Sequence, residues 1–153
     1  MKRLSSAWVL FCVAGLAGCS AYGHFYPVKG PLAAQTPPPV LVGKFTAHPP
    51  TKLTVAMTLN DGERATGTIY VVLPVPKKPV PANVPPAMTA QWDAVYGRGS
   101  YVARVLGQGQ DGRGTIVGDR GTALNVEVSY NPRVSPLQGV AEDNAGNVYK
   151  VTF

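Results

Sequence analysis

Two cysteines, two histidines and eight acidic residues are what this chain has for chemistry. Cys12 and Cys19 both fall near the N-terminus, and no thiol follows Cys19. A thiolate can serve as nucleophile, metal ligand or disulfide partner, so those roles are closed to the rest of the chain. His24 and His48 have no companion at metal-ligand spacing. The Asp and Glu residues are dispersed, and no spacing pairs two of them for acid–base work. Ser100, Ser129 and Ser135 lack the glycine context of a nucleophile elbow. Gly107-Gln108-Gly109-Gln110-Asp111-Gly112 spells GxGxxG, but a strand follows it where a pyrophosphate would need a helix N-terminus. As a calcium-binding glycine repeat it has a single copy, so a Gly-rich turn explains it better. The Trp92-Asp93 dipeptide has no repeat around it. Asp143, Asn144 and Asn147 could offer oxygens to a cation, and a tight turn accounts for all three. The patterns assign no catalytic, metal-binding or cofactor-binding residue.

The elements that would position a site are mainly strands. Leu53, Val55, Met57 and Leu59 alternate with Thr54, Ala56 and Thr58, the pattern of a half-buried strand. Asn60-Asp61-Gly62 is a hairpin signal, and Ala65, Gly67, Ile69, Val71 and Leu73 face inward on the returning strand. Pro74–Pro86 holds six prolines, a density that no strand or helix interior accepts. It predicts a long surface loop, with docking in an aromatic-lined groove as the functional alternative. Thr89–Tyr96 predicts one short helix, capped by Thr89 and ended by Gly97. Tyr101–Leu106, Thr115–Val117, Leu124–Tyr130, Leu137–Glu142 and Val148–Phe153 read as strands, with glycine-bearing turns at 118–121 and 143–147. The expected fold is a small antiparallel sheet, a sandwich or a partly open barrel. The closing alternation Tyr149, Val151, Phe153 looks like the last strand of an outer-membrane barrel. The strands look short for spanning a bilayer and the prolines interrupt them, so a final core strand is expected instead.

The N-terminus gives the sharpest signal. Met1-Lys2-Arg3 is positive, and Ala7–Leu16 is an apolar run too short to span a bilayer, which needs about 20 residues. Small residues Ala17-Gly18 follow, then Cys19. This arrangement marks a secretory leader, and Leu16-Ala17-Gly18-Cys19 resembles the lipobox of bacterial lipoproteins. The resemblance implies that residues 1–18 are removed, that Cys19 receives a diacylglyceryl thioether and that its amine is acylated. Two or more acyl chains anchor a protein stably, at about 0.8 kcal/mol per buried CH₂. Ser20 stands where an aspartate retains a lipoprotein at the inner membrane, so the resemblance implies the periplasmic face of the outer membrane. Residues 19–39 then read as a lipidated, Pro-rich tether, with Val28 to Ala34 expected to lie along the domain. Residues 40–153 read as one β domain.

The chain carries a net charge of +6 at pH 7; without Lys2 and Arg3, twelve basic residues exceed the eight acidic ones by four. That balance suits anionic lipid head groups or polyanionic wall polymers, and an ordinary solvated surface suits it equally. No basic run alternates with aromatics, so nucleic acid is not an expected partner.

Several segments are similar to a family of small, uncharacterised proteobacterial lipoproteins: Gly23–Val28 through Gly30-Pro31-Leu32, Leu59–Glu63, Trp92 with Val95-Tyr96-Gly97, Gly118–Thr122, and Gly139–Ala141 through Tyr149. The resemblance implies no activity. The expected function is a non-catalytic envelope lipoprotein, held to the bilayer through Cys19, that serves envelope maintenance or binds a protein partner. One rival is a β domain that takes a lipid or other apolar ligand, recognisable by an apolar cavity of a few hundred Å³. The other is a hydrolytic enzyme, which needs His48 or a carboxylate beside a hydroxyl in a pocket. Replacing Ser20 by Asp should move the protein to the inner-membrane fraction in a host that obeys the sorting rule; unchanged fractionation would defeat that step.

Overall fold

The structure, a computed structural model, describes residues 19–73, 82–106, 110–131 and 135–153. The expected leader, the start of the Pro-rich segment and Gly107–Gly109 lie outside the described residues. The period-two segments become β1 (Ser20–Lys29), β2 (Leu41–His48), β3 (Lys52–Thr58), β4 (Arg64–Leu73), β5 (Gln110–Gly118), β6 (Ala123–Asn131), β7 (Ser135–Asp143) and β8 (Val148–Thr152). Each strand pairs antiparallel with the next, and β1 also pairs with β8, so the sheet closes into an eight-stranded barrel. The mainly-β class with one short helix is as expected, and closure is the new feature. It comes from Ser20–Lys29, which the sequence placed in a tether. Gly23, Phe25 and Pro27 point inward there, and Pro27 is tolerated because the β1–β8 register shifts between Pro27 and Lys29.

A barrel of eight strands encloses a space that side chains can just fill. Here Phe25, Phe45, Ile69, Ile116, Leu124 and Tyr149 fill it, all nearly or fully buried. Phe25 stacks on Phe45 at 6.1 Å and meets Tyr149 edge-on at 6.3 Å. The alternation at the C-terminus therefore turns Tyr149 and Val151 into the core. That is the reverse of a lipid-facing barrel, whose apolar residues point outward. Two glycines let β4 and β5 approach closely. A Cβ on Gly67 would fall on the Thr115 carbonyl oxygen, and one on Gly114 would fall on that of Thr68.

Between β4 and β5 the chain leaves the barrel. It forms helix α1 (Thr89–Tyr96) and a π-helical turn (Val102–Leu106). Thr89 begins the helix without capping it, since Met88 occupies the cap position with no side-chain bond. Gly97 ends the helix with φ +97°, and its N–H donates to the Asp93 carbonyl at 3.1 Å. The strand expected over Tyr101–Leu106 is replaced by helical winding. Tyr101 and Val105, one helical turn apart, join Met88 and Trp92 in a second apolar cluster built over Val140 on the outer wall of β7. Ser100 closes this layer by donating its hydroxyl to the Trp92 carbonyl at 2.8 Å.

Antiparallel succession sorts the connections to two ends. The 30–40, 59–63, 119–122 and 144–147 connections share one end; Cys19, the 49–51 turn and the excursion after β4 share the other. Because the Gly114 site is walled by backbone, Gly114→Ala should destabilise the barrel by about 2–3 kcal/mol, read as a lowered urea midpoint. Unchanged stability would mean that the strands separate at no cost.

Candidate functional site

Three buried acidic groups stand out, and their surroundings differ. At the turn end, Glu63 is 2 % exposed. Its Oε1 accepts the Arg120 N–H at 2.6 Å and the Thr122 N–H at 3.2 Å, while Oε2 accepts the Thr122 hydroxyl at 2.5 Å. The Thr122 hydroxyl and then these amides hold Glu63 below the ordinary carboxylate range. Asp143, also buried, accepts N–H bonds from Ala145 and Asn147, the Asn147 side-chain amide, and the Tyr149 hydroxyl at 2.7 Å. Burial, followed by this bond to Asp143, pushes the Tyr149 phenol far up. Both carboxylates tie turns together, as the tight-turn reading of Asp143, Asn144 and Asn147 expected. Although each meets a hydroxyl, both spend their acceptor oxygens on donors of the turns themselves.

The third group lies on the outer wall of β5 and β6, beneath α1. Asp111 and Glu127 are fully buried. Arg113 Nε stands 3.6 Å from Asp111 Oδ2 and 3.9 Å from Glu127 Oε1, too far for hydrogen bonds. Glu127 Oε2 accepts the Met88 N–H at 2.7 Å and the Trp92 indole N–H at 3.2 Å. The Arg113 Nη1 donates to the Pro85 carbonyl at 3.3 Å. Among the described residues, both Asp111 oxygens, Glu127 Oε1 and Arg113 Nε find no hydrogen-bond partner. Burial first, and the neighbouring Glu127 second, push Asp111 up to about 8. A carboxyl that holds its proton beside a second carboxyl is a pairing that can move a proton, but here the roof of Trp92 and Met88 seals it from substrate. The trio fastens the excursion to the barrel. Sequence spacing missed it because Gln110-Asp111-Gly112 read as part of a Gly-rich turn, whereas these residues open β5 and set Asp111 and Arg113 beside Glu127 on the outward face.

Each mouth of the barrel holds a recess of about 270 Å³. The one at the turn end is floored by Leu32, Leu41, Leu59 and Leu124 and rimmed by Asn60 and Asn144. The one at the Cys19 end is walled by Pro49, Pro50, Leu53, Val71, Val128 and Leu137, with Tyr130 at its lip. Asp111 borders this second recess with its main chain. Gly112 points inward beside it, so the Asp111 side chain takes the opposite face. Ala47, which also lines the recess, donates its N–H to the Cys19 carbonyl at 3.0 Å.

Of the residues the sequence singled out, Cys19 is exposed on that rim, and Ser20 next to it faces the Thr46 hydroxyl at 3.4 Å. His24 stacks on Tyr26. His48 Nε2 lies 3.0 Å from the Thr54 hydroxyl, but both are exposed on neighbouring strands, outside any enclosed pocket. Among the described residues no group of three His, Cys, Asp or Glu side chains could hold a metal. No protein-family model matches the chain, and no curated protein or solved structure matches it.

Asp111 carries a pH signature. A carboxyl that binds its proton more tightly when folded loses stability as pH rises from its unfolded value, 3.8, towards its folded value, about 8. Asp111→Asn should remove this loss and be more stable than the wild type at pH 8 by about 1–2 kcal/mol. The difference should shrink towards pH 4 in urea titrations. A difference that stays constant with pH would mean that Asp111 is ionised in the folded protein.

Proposed function

We propose that this chain is a lipid-anchored β-barrel that binds a small apolar ligand in the mouth beside Cys19. The observation that carries the reading is the recess itself: an apolar cavity of about 270 Å³ at one end of a closed barrel. Ligand cavities in barrel mouths are commonly about 300–1,000 Å³, mostly apolar with a few polar groups, and this one sits near the lower bound. Its polar groups, Gln110 and Lys52, lie among the lining residues and suit a ligand with one polar end.

The position of Cys19 supports the same reading. An acyl anchor there would turn this mouth towards the bilayer, where apolar molecules concentrate. A carrier or sensor of small lipids would then load without its ligand crossing water. The protein-partner reading has no comparable feature behind it. The hydrolytic reading has carboxylates beside hydroxyls, but they are the saturated turn-end groups described above.

The chain from Ser20 onward contains every strand of the barrel and can be titrated with the apolar fluorophore N-phenyl-1-naphthylamine. Saturable one-site binding is expected, and Leu53→Lys should weaken it about tenfold by placing a charge in the apolar wall. Thermal melting checks that this variant stays folded. Binding that fails to saturate, or that a folded Leu53→Lys variant retains in full, would remove the basis of the reading.

A further inference from the structure

The barrel wall is divided by charge. No Asp or Glu precedes Asp61, so β1 to β4 carry none. The outward positions of these strands hold Lys44, Lys52 and Arg64. Asp61 and Glu63 sit at the turn end, where the Asp61 carboxylate pairs with Arg120 at 2.7 Å and Glu63 is buried. The outward acids of the wall, Asp111, Glu127 and Glu142, all lie on β5 to β7.

The acid-free wall is also concave and hydroxylated. A shallow groove of about 520 Å³ runs over β2, β3 and β4, lined by the side chains of Lys44, Thr46, Thr54, Ala56, Thr66 and Thr68. The register places these side chains on two rungs. Thr46 faces Thr54, which faces Thr68; Lys44 faces Ala56, which faces Thr66. Strands stand about 4.8 Å apart, so the first rung spreads three hydroxyls over roughly 10 Å. Tyr22, 60 % exposed, pairs with Lys44 at the edge of the groove.

We infer that this groove binds a carboxylate-bearing polysaccharide. Threonine hydroxyls both donate and accept, which matches the hydroxyls of a sugar chain. Lys44 supplies the charge for a uronate-type carboxylate, and the absence of acids on the wall removes the repulsion such a chain would meet elsewhere. A protein partner would look for an aromatic or arginine anchor seated in a pocket; the middle of this groove is Ala56 and threonines. A bilayer surface would look for large apolar side chains to insert, and on its outward positions the groove offers only Ala56. This site lies on the outer wall and does not depend on the mouth recess.

The test uses the full acylated chain in non-ionic detergent, passed over immobilised polygalacturonate, with neutral dextran as reference. Binding to polygalacturonate and not to dextran is expected, weakening with salt. K44Q should lower the affinity about threefold, and T54V/T66V, which keeps β-branched shape, should lower it by a similar factor. R98Q makes the same change of net charge on the excursion that covers the other half of the barrel and should leave binding unchanged. The inference is overturned if the chain does not bind polygalacturonate, or if R98Q weakens binding as much as K44Q. Full binding by T54V/T66V would reduce it to unspecific attraction of a polyanion. Capture of a Cys19→Ser chain, which cannot take the thioether, by phosphatidylglycerol vesicles without capture by polygalacturonate would assign the wall to a membrane instead.

Discussion

The ladder between the first strand and the last is the constraint on which the structure depends. A sheet of seven strands would leave two rows of unpaired N–H and C=O groups, open to solvent and to other chains. Pairing Phe25 with Val151 and Tyr26 with Lys150 removes both rows together. It also brings Phe25 against Tyr149, so the aromatic centre of the core is assembled by the same contact that closes the wall. No disulfide is available to do this work, because the described strands contain no cysteine. Closure rests on hydrogen bonds and apolar packing alone.

Closure also decides where chemistry can sit. The interior is filled by side chains, which leaves the two mouths and the outer wall. One mouth is laced by Glu63 and Asp143, whose many donors make it rigid and chemically quiet. The other holds an apolar recess of the same size, with Cys19 on its rim. The outer wall is divided in turn: one half is bare and basic, while the other is roofed by the excursion after β4 and holds the acids. The proposed ligand mouth and the proposed polysaccharide groove follow from this division, not from any motif.

Much of the fold could be read in the residues. Leu53 to Leu73 announced a hairpin through strict alternation, and Gly62, at φ +83°, marked its turn. Trp92, Val95 and Tyr96 announced the helix. The first strand was hidden because its inward positions are Gly23, Phe25 and Pro27, only one of which looks like core, and because prolines follow closely. Tyr101–Leu106 was read as a strand because Val102 and Val105 are β-branched; tertiary packing against Trp92 overrode that preference. The buried trio could not be seen at all. Gln110 to Gly112 read as part of a turn and not as the start of β5, so nothing set Asp111 and Arg113 beside Glu127, and the return of Met88 and Trp92 over them is a tertiary contact that no local pattern announces. Charge segregation was visible in the order of the residues, but its meaning required knowing that β1 to β4 are neighbours.

The roof over β5 and β6 has one last implication. Stripped of α1 and its flanking chain, the cylinder would present Asp111, Arg113 and Glu127 to water, where three such side chains are ordinary. Their oddness belongs to the covering and not to the wall. The excursion thus behaves like an annex built against a finished house. It could be shortened or exchanged between cylinders of this kind, provided that whatever replaced it either met the acid at 127 with two donors or left that acid out in the rain.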